Sequence, residues 1–231
     1  MSLYLWLDLL AISIPFLVSF HPRIQLHKQW AYLFPALLIS LVPYIIWDIY
    51  FTINGYWGFN EAYLTGVSLW YLPIEEWLFF ICIPYACIFT HIALLEINPK
   101  LKLSLPLTKI ITGVLSLMFL LVFLLNYDKA YTAVDMAFGF VILAAVYLNN
   151  KELLRAYYIT FLFMLIPFFI VNGVLTGTGI TDQVVWYNDE QNLGIRMGTI
   201  PVEDSVYAFS LILMGLGLFE YFSKKADRKA S

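Results

Sequence analysis

Charge is scarce in this sequence. Only 13% of its 231 residues are Asp, Glu, Lys or Arg, 61% are hydrophobic, and the mean hydropathy is +0.79. Soluble domains carry about 25% charged residues, so a water-soluble fold is excluded, lipid is the expected solvent and no nucleic-acid partner is expected. Cysteine is nearly absent. Cys82 and Cys87 lie in one apolar stretch but off a shared helix face, which argues against a disulfide or a metal pair. His21, His27 and His91 match no zinc spacing, and no metal is expected. No glycine-rich fingerprint follows a strand pattern, so a nucleotide or flavin fold is excluded, and any reaction is expected to be redox-neutral and to need no cofactor. The DDxxD of diphosphate-binding prenyltransferases is missing. A retinal Schiff base is excluded as well, because no lysine lies between residues 200 and 222.

Long apolar runs, by contrast, fill the chain. A helix needs roughly 20 apolar residues to cross the hydrocarbon core, where only helices and closed barrels satisfy their own backbone. Seven spans are expected, over residues 3–20, 30–50, 72–95, 107–125, 130–148, 156–175 and 200–222. The first has no basic residue before it and contains Asp8, so it reads as a retained helix rather than a cleaved signal. Arg23, Lys28, Lys100, Lys102, Lys109, Lys151, Arg155, Lys224, Lys225, Arg228 and Lys229 fall on one side of this alternation, and only Lys129 and Arg196 on the other. The positive-inside rule then places the N-terminus outside and the C-terminus in the cytoplasm.

The sequence also repeats. WGFNEAYLTGVSLWYLPIEEWLF, from Trp57, overlays VWYNDEQNLGIRMGTIPVEDSVY, from Val185, at a constant offset of 128. Asn60 meets Asn188, Gly66 meets Gly194, Pro73 meets Pro201, Glu75 meets Glu203, Glu76 meets Asp204 and Phe79 meets Tyr207, while Asp8 falls opposite Asp135 at an offset of 127. Spans 1 to 3 therefore correspond to spans 5 to 7, and the fourth restores direction. The expected architecture is all-α: a first three-helix repeat at 1–98, a linker helix at 99–128, a second repeat at 129–222 and a basic tail at 223–231.

PIEE and PVED are expected to open spans 3 and 7, where proline suits the first turn and a following Glu can face free N–H groups. That capping role competes with a chemical one for Glu75 and Glu203. Glu76 and Asp204 lie about 100° further round their helices, so one acid of each pair points into the bundle. Asp8, Asp48 and Asp135 are placed at the same depth by the topology, and a cluster of buried acids can hold and donate protons. Aromatic residues crowd the same level, Trp47, Trp57, Trp70 and Trp77 among them. They read either as an interfacial belt or as π-faces for a cation.

The PIEEW and PVEDSVY motifs, the DLLAISIPFLVSF start, the Trp47-Asp48 pair and NGVLTGTG from Asn172 together resemble the membrane-integral lycopene cyclases, in a form with both halves fused. The resemblance covers almost the whole chain. It implies protonation of a lycopene end group, ring closure through a carbocation and loss of a proton to give a β-ring. It also implies Glu75, Glu76, Glu203 and Asp204 as proton donors or acceptors, supported by Asp8, Asp48 and Asp135, with Trp47, Asn60, Trp70, Asn172, Asn188 and Tyr207 as substrate contacts. Lycopene and other linear carotenoids, the lipid bilayer and other carotenoid-pathway enzymes are the expected partners, in a bacterial inner membrane. The alternatives are an ε-cyclase or end-group hydratase of the same fold, or a sugar-carrier-like transporter of three-plus-one-plus-three helices. The carriers' usual Pro-Gln signature is replaced here by Pro-x-Glu. The topology is checked by introducing a cysteine at Asn188, expected to react with an impermeant thiol reagent from outside the cell; labelling from the cytoplasmic side alone would overturn it.

Overall fold

The computed structural model describes residues 2–230, and the side chains of residues 2–226. The side chains of Arg228 and Lys229 in the expected tail, and Ser231, lie outside the described part. Helices dominate: α1 (Leu3–Val18), α2 (Trp30–Ile53), α3 (Ile74–Ile97), α4 (Leu105–Leu125), α5 (Ala130–Asn149), α6 (Lys151–Leu175) and α7 (Glu203–Ala230). Three of them, α1, α4 and α6, start on short polar caps. Ser2 accepts the Leu5 N–H at 3.1 Å, and Ser104 and Asn150 do the same for α4 and α6. The Asn150 cap starts α6 earlier than the expected 156. Six of the helices are long and apolar enough to cross a membrane. The shorter one is α1, whose 16 residues rise about 24 Å at 1.5 Å each. It stops short of the expected residue 20 because His21-Pro22 disfavours helix and Ser19 closes the last turn.

The starts of α3 and α7 also differ from expectation, for one shared reason. Residues expected as first helical turns instead form hairpins, β2 (Ser68–Leu69) with β3 (Leu72–Pro73), and β5 (Arg196–Met197) with β6 (Ile200–Pro201). Pro73 is thus the cap residue of α3, in extended conformation, rather than its first turn. Both hairpins sit at identical places under the offset of 128. The second turns at Gly198, with φ +67°, while the first uses Trp70 and Tyr71 at φ +48° and +70°.

The two long loops meet each other. Antiparallel β1 (Trp57–Phe59) and β4 (Val185–Tyr187) pair so that Gly58 faces Trp186, its own equivalent under the same offset. Residues that pair with their own counterparts mark a local two-fold axis. Hydrogen bonds repeat across it, Asn60 N–H to the Val184 carbonyl and Asn188 N–H to the Tyr56 carbonyl, both at 2.8 Å. Glycine is needed at the axis, because a Cβ on Gly58 would sit 2.4 Å from the Trp186 ring.

Below the loops, α1 packs along α3 and α5 along α7, while α2 lies close against α7 and α6 has fewer approaches to α3. Peripheral α4 leans on α5 and buries little beyond Thr108, Thr112 and Phe119. The starts of α1, α3, α5 and α7 and the ends of α2 and α6 gather at one end of the bundle, and the acids are there.

Candidate active site

Each hairpin feeds its acid pair into the bundle at the start of a helix. The first acid of each pair is a clamp. Glu75 Oε1 accepts the Ser2 hydroxyl and the Thr65 N–H, both at 2.7 Å. Glu203 Oε1 accepts the Thr132 hydroxyl at 2.7 Å and the Leu193 N–H at 2.8 Å. Thr65 and Leu193 are equivalents under the offset, so both halves tie their loop and a neighbouring helix to the same acid.

One position on, about 100° round the helix, Glu76 and Asp204 face a shared space but keep different company. Glu76 accepts the Tyr4 hydroxyl at 2.5 Å, and its carboxyl lies beside that of Asp48. Asp48 Oδ1 accepts the indole N–H of Trp57 at 2.6 Å, whereas its Oδ2 has no donor among the described residues. Asp204 is surrounded by donors. Tyr131 donates to Oδ1 at 2.6 Å, and Asn172 and Tyr187 donate to Oδ2 at 3.1 and 3.0 Å. Burial and the adjacent Asp204 charge push the Tyr187 phenol well above its ordinary value, which keeps it a donor. Asp8 and Asp135 lie one turn beyond Tyr4 and Tyr131, beside the two acid pairs, and none of their four oxygens has a partner among the described residues.

All seven acids are buried, but only Asp48, Glu76 and Asp204 line the cavity between them, whose volume is about 390 Å³. Asn172 and Tyr207 line it too, with Trp57, Tyr131 and Tyr187 completing an aromatic end. The Tyr131 and Tyr187 rings stack at 5.8 Å, and Trp57 meets Tyr131 edge-on at 5.1 Å. The rest of the wall is aliphatic and aromatic. Other residues expected at the substrate are placed elsewhere. Trp47 is buried in an aromatic core with its ring 4.9 Å from Tyr207, and it does not reach the cavity wall. Asn60 and Asn188 cap two short 3-10 turns, each accepting an N–H two residues on. Trp70 is exposed at the hairpin tip. The histidines are dispersed at the other end, His91 against Thr160 and His27 against the Ser19 carbonyl.

Tyr4, Tyr131, Ser2 and Thr132 were not foreseen as partners of the acids. A signal for the tyrosines exists: Tyr precedes Asp by four positions in both α1 and α5, at the offset of 127 that matches Asp8 to Asp135.

Buried acids and phenols line one end of an apolar chamber inside a bundle of which six helices are long and apolar enough to cross a membrane. The lycopene cyclase family model matches residues 1–94 and 128–222, and the chain belongs to that family. The match falls on two segments and omits α4. Its substrate class is accordingly the carotenoids. No curated protein and no solved structure matches the chain.

The clamps carry a stability consequence. Glu75→Ala or Glu203→Ala strands a loop N–H and a hydroxyl, and an unsatisfied buried group costs about 1–3 kcal/mol. Each variant is expected to unfold at a lower temperature in detergent than the unmodified protein, and to be cut faster by protease between residues 60 and 72 or 188 and 200. An unchanged midpoint and cleavage pattern would show that the clamps hold nothing.

Proposed function

We propose that the protein is a lycopene β-cyclase that closes linear end groups into β-ionone rings by a proton-initiated, redox-neutral reaction. The observation that carries this reading is the opposed surroundings of two acids across one apolar cavity. Glu76 and Asp48 set two acceptors side by side, an arrangement that needs a proton between them. Asp204 instead faces three donors. In this reading the Glu76–Asp48 pair delivers a proton to carbon 2 of the end group, which leaves a cation at carbon 1. The double bond between carbons 5 and 6 attacks, the bond from carbon 1 to carbon 6 forms, and the charge moves to carbon 5. Trp57, Tyr131 and Tyr207 present rings to that charge. Asp204, ringed by its three donors, attracts the cation and takes the proton lost from carbon 6. One proton enters and one leaves, so no cofactor is consumed. Loss from carbon 4 instead gives the ε-ring.

The chain is read as seven spans in two parallel three-helix repeats, 1–98 and 129–222, with 99–128 as linker and 223–231 as basic tail. The repeated hairpins and the local axis between β1 and β4 support that arrangement. The N-terminus is assigned outside, the C-terminus to the cytoplasm, and the setting to a bacterial inner membrane, on the distribution of basic residues.

Expression in lycopene-accumulating cells tests the function. Lycopene is expected to become cyclic product, with β-rings by isomer analysis. Glu76→Gln, Asp48→Asn and Asp204→Asn keep shape while removing proton transfer, and a general acid or base contributes roughly 10²- to 10⁴-fold in rate. Each is expected to lower product by at least that lower bound at unchanged membrane yield. Normal conversion by all three would move the chemistry to the remaining acids, and unchanged lycopene with the unmodified protein would favour transport.

A further inference from the structure

The cavity lies between the two repeats, lined by α1 and α3 of the first and α6 and α7 of the second. Its counterpart is located by three alignments: α1 with α5 at an offset of 127, α3 with α7 at 128, and α2 with α6 at 124, where Pro43 meets Pro167, Asp48 meets Asn172 and Thr52 meets Thr176. The smaller last offset follows from the loop after α6 being longer than the loop after α2. On this mapping Ala11 and Val171, which line the cavity, correspond to Phe138 and Trp47. Those two rings lie 5.1 Å apart, and Tyr44 closes on Phe138 at 5.4 Å. An aromatic plug between α5 and α2 therefore occupies the counterpart of the hollow between α1 and α6. Gly215, equivalent to the cavity-lining Cys87, tightens the same seam: a Cβ there would meet Ile88 Cδ1 at 3.3 Å and Ser40 Oγ at 3.7 Å.

The cavity opens sideways between α1 and α6. Leu10 and Ile14 of α1 and Pro167 of α6 line the cavity and are also exposed on the outer surface of the bundle. The chamber thus runs from the acids to the apolar flank of the protein, where a membrane's acyl chains would lie. At about 390 Å³ it lies at the small end of ligand pockets, roughly 300–1,000 Å³, and suits one end of a long polyene rather than the whole chain.

We propose that the carotenoid enters sideways from the lipid through the cleft between α1 and α6, and that the protein holds one end group at a time because the counterpart of that cleft, between α5 and α2, is filled by Tyr44, Trp47 and Phe138. This rests on the cyclase reading and adds a route and a stoichiometry to it. Both ends of a symmetric substrate can be closed only by release, reversal and rebinding.

Purified protein in phosphatidylcholine vesicles loaded with a large excess of lycopene tests both parts. One-ended product is expected to accumulate first, because a released intermediate competes with unreacted lycopene. Two-ended product from the first turnovers would overturn the one-end rule. Ala11→Phe places in the open cleft the residue that fills the closed one, and it is expected to lower conversion at least tenfold at unchanged membrane yield. Conversion at the unmodified rate would overturn the route. Lycopene left untouched by the unmodified protein would instead overturn the cyclase reading itself, and the cleft assignment with it. The time course needs no variant, so poor folding of Ala11→Phe leaves the one-end rule open to refutation.

Discussion

A carboxyl group taken out of water must be given hydrogen-bond donors or keep its proton, since an ion left bare in an apolar interior costs several kcal/mol. Seven acids are buried at one end of this bundle, and the local architecture there is arranged around how each meets that demand. Glu75 and Glu203 are met by backbone N–H groups that only a folded loop can aim at them. Hence the hairpins and short turns between α2 and α3, and again between α6 and α7. Asp204 is met by phenols and an amide drawn from α5, β4 and α6. Asp48 and Glu76 are left facing each other, and Asp8 and Asp135 have no donor among the described residues.

The acid motifs recur at the offset of 128, and the two copies differ in what surrounds them. Where α2 carries Asp48 beside the second acid of its neighbouring motif, α6 carries Asn172 beside the other. One atom type changes, an oxygen to an N–H₂ donor, and the adjacent carboxyl goes from proton-sharing partner to saturated acceptor. A like difference on the α1 and α5 faces sets Ala11 against Phe138, which separates the open cleft beside α1 from the filled one beside α5.

Much of this was legible in the sequence, and what was not has physical causes. The acids announced themselves because charge is so scarce elsewhere, and the offset of 128 predicted equivalences that reappear as matched hairpins and matched clamps. Helix starts were misread at residues 72 and 200 because Leu-Pro-Ile and Ile-Pro-Val are as apolar as the helices they precede, and hydropathy does not distinguish a short hairpin strand from a first turn. Asn60 and Asn188, which the family resemblance implies as substrate contacts, also match across the repeat, and such matching preserves turns as well: both serve as caps. Tyr4 and Tyr131 were overlooked because an aromatic near a membrane interface has an ordinary explanation. Only the third dimension shows their hydroxyls turned onto acids. The relation of α2 to α6 was hidden by the longer loop before β4, which breaks the constant offset.

On the cyclase reading, the ring isomer is decided by geometry rather than by acid strength. Carbons 4 and 6 flank the same cationic carbon, so both protons are acidified together and the base takes whichever it meets. Asp204 is held from Tyr131 on one oxygen and from Asn172 and Tyr187 on the other, which leaves it little freedom to follow the substrate. Tyr187 is carried by β4, whose position depends on its pairing with β1 of the other half. The direction in which the base faces is therefore set jointly by both halves, through a strand pair lying on their local two-fold axis. A change in ring outcome within this architecture requires no new catalytic group. It requires only a shift in the donors that hold Asp204, and those donors lie on α5, β4 and α6 rather than in the PVED motif itself.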